Sequence, residues 1–327
     1  MNSLNRKSKT LLSVLIKIGV LVLSAGFIFY KLSNNTNLQN FRLLIRNLLP
    51  AKVYATLTLI LTLMLLNWFL EALKWKFLVR KIERISVWKA VESVFCGLTW
   101  AIFTPNRIGE YGGRIFFLAP RKRVFGAIAM GIGAVGQMVI TNILGALAIL
   151  WFVGRFVNLH PVLYGTMVFL TLCFCLFFVL FFFNLKILTQ LLNRIRFLKR
   201  FRKFFMILAR YRRDDLSVVF YYCLVRFIVF TSQYYFVINM LIPGLPVFPM
   251  IMMIFILFFV QSALPSLDLL DVGVRTMTAT YFFSFITRQE VAVMASTACI
   301  WFVNLIVPAI IGSAFVLKLN FFGTSRS

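Results

Sequence analysis

The chain has 327 residues, 61% of them hydrophobic and only 13% charged, with 35 Lys and Arg against 9 Asp and Glu for a formal net charge of +26. That composition excludes a water-soluble fold, and a basic excess set among apolar runs points to a polytopic membrane protein rather than a nucleic-acid surface. One histidine (His160) and five cysteines (Cys96, Cys173, Cys175, Cys223, Cys299) without a Cys-x-x-Cys pair give no basis for a metal site, a disulfide framework or a Ser-His catalytic unit.

In chain order, Leu11–Tyr30 is an apolar run long enough to cross a ~30 Å hydrocarbon core as a helix. Behind Arg6, Lys7 and Lys9 it is expected to be a retained first span rather than a cleaved leader. Further full spans are expected at Val53–Leu73, Gly126–Val153, Pro161–Phe183, Leu216–Leu241 and Val291–Leu317. Two more apolar stretches are interrupted by proline, Val87–Leu118 at Thr104-Pro105 and Phe248–Ile286 at Leu264-Pro265. Each reads as a pair of helical arms entering and leaving by the same side. The fold expected is therefore an all-α polytopic membrane protein with six full transmembrane spans plus two proline-broken helical hairpins.

Short cytoplasmic loops carry the excess Lys and Arg. With both termini inside, the turn from Lys74 to Lys89, the Arg121-Lys122-Arg123 cluster and the loop from Lys186 to Arg213 are cytoplasmic, which puts 24 of the 35 basic residues inside against six outside. Within that loop, Leu188–Tyr211 mixes basic and apolar residues as a helix lying on the anionic leaflet does. Residues 1–154 then read as span, span, hairpin, span beginning inside, and residues 155–327 repeat the series beginning outside. An odd number of crossings per unit makes the two halves an inverted repeat, a plan that places sites near the midplane between repeats.

Ionisable groups in hydrocarbon cost about 2.5–3.5 kcal/mol each on insertion scales and mark functional candidates. Arg107, Glu110 and Arg114 follow the first break, and Asp268, Asp271 and Arg275 follow the second. Both triplets have i, i+3, i+7 spacing, one helical face each, with the acid one turn before the last arginine. Thr104 before Pro105 has the form of an N-cap, and Pro265-Ser266 is the matching start in the second half. Two helix N-termini facing each other near the midplane suit an anionic headgroup, a phosphate above all. The competing structural reading is that Glu110 with Arg114 and Asp271 with Arg275 are ion pairs that lock the hairpins. Arg226, alone in the fifth span, adds a positive charge. Thr104, Asn106, Gln137, Asn142, Gln261 and Asn304 are polar residues in apolar surroundings, able to support the site or to join helices by hydrogen bonds. Gly131-Ile132-Gly133-Ala134-Val135-Gly136 matches a dinucleotide fingerprint, but no strand precedes it; Gly126, Gly131, Ala134 and Gly136 are read as a surface for close helix approach.

Pro105-Asn106-Arg107-Ile108-Gly109-Glu110, with Arg114 following, resembles the Pro-x-Arg-x-Gly-Glu…Arg signature of the lysylphosphatidylglycerol synthase transmembrane region, or flippase-like domain, family. Leu264-Pro265 through Arg275 resembles its second signature, Pro-Gly-Gly-x-Gly-x-x-Glu, with Ser266-Leu267 in place of the glycine pair and Thr276 in place of the glutamate. The resemblance implies a lipid-translocating or lipid-handling membrane domain; the soluble aminoacyl-transfer domain fused to some members is not recognisable here.

The expected function is movement of a lipid with an anionic phosphate headgroup between leaflets of a bacterial inner or plasma membrane, with membrane lipids as partners and without nucleic acid, cofactor, metal or catalytic residue. Arg107, Arg114 and Arg275 would contact phosphate, with Glu110 and Asp271 orienting them or exchanging protons. The alternatives are an intramembrane enzyme using Glu110, Asp268 or Asp271 as acid or base on a lipid-linked substrate, and a membrane scaffold.

Overall fold

The computed structural model describes residues 22, 36–46, 48–102, 104, 108–184, 207–263 and 268–316. The expected span Leu11–Tyr30, most of the loop from Lys186 to Arg213 and the basic tail lie outside the described residues. Most of those described are helical, and none among them is in a strand. The helices are α1 (Thr36–Arg46), α2 (Pro50–Val79), α3 (Val87–Ala101), α4 (Ile108–Ile115), α5 (Arg123–Phe156), α6 (Pro161–Phe183), α7 (Arg213–Leu241), α8 (Val247–Ala263), α9 (Asp268–Phe283), α10 (Glu290–Trp301) and α11 (Val307–Val316).

Among the described residues, five segments are long and apolar enough to cross a membrane: Pro50–Val79, Pro120–Phe156, Pro161–Phe183, Arg213–Leu241 and Glu290–Val316. α6 shows why such a helix needs lipid, since it is apolar on every side and buries only Thr171 and Phe182. α2 opens on Pro50, whose missing N–H costs nothing at a first helical position, and it extends past Leu73 to Val79. The extension corrects the charge count made from the sequence: Lys74 and Lys76 belong to the helix, and Lys74 is buried, because Glu71 one turn back holds its ammonium at 2.7 Å.

The ends of the helices sort by chemistry. Asp215, in the first turn of α7, pairs with Arg80 at 2.8 Å and with Lys81 just after α2, and accepts the Arg212 N–H at 2.9 Å. Glu83 collects Lys89 at 3.5 Å and Lys122 at 3.7 Å and accepts the Ala119 N–H at 3.2 Å. Tyr211 donates to the Leu78 carbonyl at 2.5 Å, and burial pushes its phenol upward, so it remains a donor. The basic residues flanking α2, α4, α5 and α7 therefore meet at one end of the bundle. At the other end of α5 the contacts are aromatic: Trp151 faces Phe248 with ring centroids 5.5 Å apart, and Phe152 faces Phe285 at 4.8 Å.

The same contacts adjoin the ends of the two broken segments. α3 and α4, with 15 and 8 residues, reach about 22 and 12 Å at 1.5 Å per residue, short of a ~30 Å core. α3 begins beside Glu83 and the residues after α4 return to it. α8 and α9, with 17 and 16 residues, begin and end against the aromatic end of α5. The α3–α4 contact is made by glycine: a Cβ on Gly109 would lie 2.6 Å from the Trp100 carbonyl carbon, and one on Gly113 would lie 2.7 Å from the Gly97 nitrogen.

In α5, Gly133 approaches Lys74 and Leu78, Gly136 approaches Phe182 and Cys223, and Gly145 approaches Phe259 of α8. Gly126 meets Leu118 of the preceding connection and faces Trp75 of α2, whereas Gly131 has nothing within 4 Å and Ala134 is exposed. The expectation for Gly131 and Ala134 is thus corrected: they lie on the turn's outer face.

α10 and α11 form one segment interrupted by a π-helical turn, Phe302–Ile306. Pro308 has no N–H to return to the Asn304 carbonyl, and the ladder widens so that Val307 N–H reaches Phe302 O. Beyond the turn, Gly312 lets α11 lie against α3, where Thr99 donates to the Ala309 carbonyl at 2.9 Å.

Candidate functional site

At mid-height of the bundle a cavity of about 360 Å³ opens between α2, α5, α7, α8, α9, α10 and the π turn. That size lies in the range of ligand pockets. Each wall brings polar groups on an apolar helix. α2 gives Asn67, α5 gives Gln137 and Thr141, and α7 gives Arg226 among phenylalanines. Gln261 and Ser262 stand in the last turn of α8, Arg275 faces in from α9, and Asn304 comes from the π turn. Trp68 and Trp301 supply flat aromatic surface. The described lining residues carry two guanidinium groups and no carboxylate.

Arg226 is held rigidly. Its Nε donates to the Asn67 side-chain oxygen at 3.0 Å and to the Asn67 carbonyl at 3.2 Å, and Nη1 pairs with Glu71. Glu71 is 6% exposed and serves two further cations, Lys74 at 2.7 Å and Arg114 at 2.6 Å. Arg114, 1% exposed, is in turn clasped by Glu110 one helical turn earlier. A continuous chain Glu110–Arg114–Glu71–Arg226 thus runs from α4 to the cavity wall. Within it and Lys74, among the described residues, three cations face two carboxylates, an excess of one positive charge in a setting where charge is costly to bury.

Asn304 is placed by two acceptors. Its Nδ2 donates to Gln233 Oε1 at 2.5 Å and to the Ile300 carbonyl at 3.1 Å. Asn142 accepts from Ser262 Oγ at 3.1 Å and ties α5 to the tip of α8. Thr104 acts as a cap at longer range than expected. α4 is helical from Ile108, and the Thr104 hydroxyl accepts the Gly109 N–H at 2.6 Å.

Of the residues singled out in the sequence, Gln137, Arg226, Gln261, Arg275 and Asn304 meet in the cavity. Glu110 and Arg114 do not line it; they stand behind Glu71. Arg107 and Asn106 lie outside the described residues, as do the side chains of Asp268 and Asp271, whose backbone opens α9. No described residue of α3 or α4 reaches the lining. Sequence reading passed over Asn67 and Glu71. The signal was present, an acid in an otherwise apolar run, but it adjoined basic residues assigned to the loop.

No curated protein and no solved structure matches this sequence. The profile of the family described as the lysylphosphatidylglycerol synthase TM region matches residues 14–312, from within the first apolar run to Gly312 of α11, and the chain belongs to that family.

Proposed function

We propose that this integral membrane protein binds the phosphate headgroup of an anionic lipid in the central cavity and moves it between leaflets. The family is a membrane domain associated with lipid handling. The observation that carries the finer reading is the pair Arg226 and Arg275 in one cavity at mid-height, backed by an ion cluster with an excess positive charge. A phosphate completes that charge balance, and a guanidinium fork suits its oxygens.

In this reading α3–α4 is a re-entrant hairpin from the cytoplasmic, basic face and α8–α9 is one from the opposite face. With Leu11–Tyr30 as a first span, there are six full spans and two antiparallel halves that rock about the site. Support comes from the length of the four arms and from the opposite ends of α5 that they contact. Both termini are cytoplasmic and the membrane is a bacterial inner or plasma membrane. Transport is placed above intramembrane catalysis because the described lining residues offer binding groups, two guanidinium forks and several amides. Arg114 and Glu110 act through Glu71 on the position of Arg226.

Reconstitution tests the proposal. Vesicles containing the purified protein and headgroup-labelled anionic lipids should exchange label between leaflets faster than empty vesicles, and Arg226→Gln should abolish the gain. Exchange at the empty-vesicle rate for every anionic lipid refutes transport. Loss of a chemical lipid species from cells lacking the gene supports the enzyme instead.

A further inference from the structure

Between the cavity and the basic end of the bundle lies a joint of α2, from residues 1–154, with α7, from residues 155–327. Next to the cavity this joint is dry: Trp75 and Leu78 of α2 and Leu216 and Val219 of α7 belong to one buried cluster, each at most 1% exposed. Beyond them it turns polar and reaches water. Asp215 pairs with Arg80 and Lys81, whose side chains are 48% and 23% exposed. Lys81 also donates to the Arg210 carbonyl at 2.6 Å, and the Tyr211 hydroxyl donates to the Leu78 carbonyl. Among the described residues Asp215 is the one carboxylate that pairs across α2 and α7 at this end.

The other end of α2 carries no such joint. Of residues 50–66 only Val53, Ile60 and Met64 are buried, whereas eight of residues 67–79 are. Tyr54 is 72% exposed and Leu65 49%. Two long spans, one from each half, are therefore tied at the basic end and at mid-height but not at the opposite end. The chemistry of the basic-end tie suits repeated opening. Parting a buried pair such as Arg114 and Glu71 strands both charges away from water. Arg80 and Lys81 stand at the edge of the bundle and can exchange Asp215 for water at little cost.

From this asymmetry we infer that the Asp215 joint is the cytoplasmic gate of the cavity, closed in this state of the molecule and parting at Arg80, Lys81 and Tyr211 when the cavity opens to the cytoplasmic leaflet. This inference rests on the proposed transport reading and adds to it the residues that close one side.

The test labels a cysteine in the cavity wall, Gln137→Cys, with an impermeant methanethiosulfonate whose sulfonate suits the two guanidinium groups. The signal is read above that of the chain with its native cysteines, of which Cys96, Cys223 and Cys299 are buried. Asp215→Asn keeps a side-chain oxygen for the Arg212 N–H and removes the charge. In inside-out vesicles it should speed labelling about three- to tenfold, the shift expected from losing two partly exposed ion pairs. Labelling from the other side of the membrane should not speed up. Unchanged labelling in inside-out vesicles, or faster labelling from both sides as a loosened fold would give, overturns the gate. A second arm closes the joint covalently in the purified protein. Arg80→Cys with Asp215→Cys shortens two side chains that meet at 2.8 Å, and a short bifunctional thiosulfonate spans the gap. Cross-linking should bring leaflet exchange of headgroup-labelled anionic lipid down to the empty-vesicle rate, and reduction should restore it. Exchange that persists through cross-linking overturns the gate alone. No exchange by the wild-type chain overturns the transport reading and this inference with it.

Discussion

Glu71 is the only carboxylate shared by Lys74, Arg114 and Arg226 among the described residues, and all four groups lie inside the bundle. Glu71→Gln keeps the shape and removes the charge, so three cations would face Glu110 alone. Removing one partner of a buried ion pair costs about 3–5 kcal/mol, a large part of the roughly 5–15 kcal/mol that holds a folded domain together. The same bookkeeping gives a contrasting result for Lys74→Met: it removes the excess cation, leaves Arg114 and Arg226 matched by Glu71 and Glu110, and should change stability by less than about 1 kcal/mol or raise it. The double variant restores the original excess of one positive charge and should recover about 1–3 kcal/mol relative to the sum of the single changes. Unfolding free energies from denaturant titration of the detergent-solubilised protein provide the measurement. A Glu71→Gln protein as stable as wild type, or a Lys74→Met protein as damaged as Glu71→Gln, would refute the charge accounting on which the site model stands.

Glycine packing gives an internal contrast. Gly113→Ala would drive a Cβ into the Gly97 backbone and should cost about 1–3 kcal/mol, whereas Gly131→Ala meets nothing and should be neutral or stabilise by up to about 1 kcal/mol; thermal unfolding of the two separates them. Arg226→Lys should lose nearly as much lipid exchange as Arg226→Gln, about tenfold or more, because an ammonium cannot span Asn67 and Glu71 as the fork does; full activity of the lysine variant would remove the geometric argument. For topology, a cysteine at exposed His160, beyond the aromatic end of α5, should react with an impermeant thiol reagent in intact cells while one at exposed Arg84, by the basic end of α2, should not. The reverse pattern would invert the orientation.

Composition and apolar run length alone determined that this is a helical membrane protein, because lipid leaves backbone polar groups no partner but the helix itself. The first signature was legible too, down to Gly109, whose missing side chain lets α4 touch the Trp100 carbonyl. Helix ends were less legible. Lys74 reads as a loop charge until Glu71 and the packing of α7 show why it can be buried. The site itself was decided by tertiary structure. Glu110 and Arg114 share a helical face with i, i+4 spacing, and the sequence leaves open whether that face meets a ligand or another charge; Glu71 from α2 settles the partner of Arg114. Arg226, Arg275, Gln261 and Asn304 lie far apart along the chain and become one surface only when α7, α8, α9 and the widened turn before Pro308 pack around a common space. Periodicity along one helix fixes which residues share a face, but the partner of that face is a property of other segments, set by which close approaches their glycines and buried charges allow.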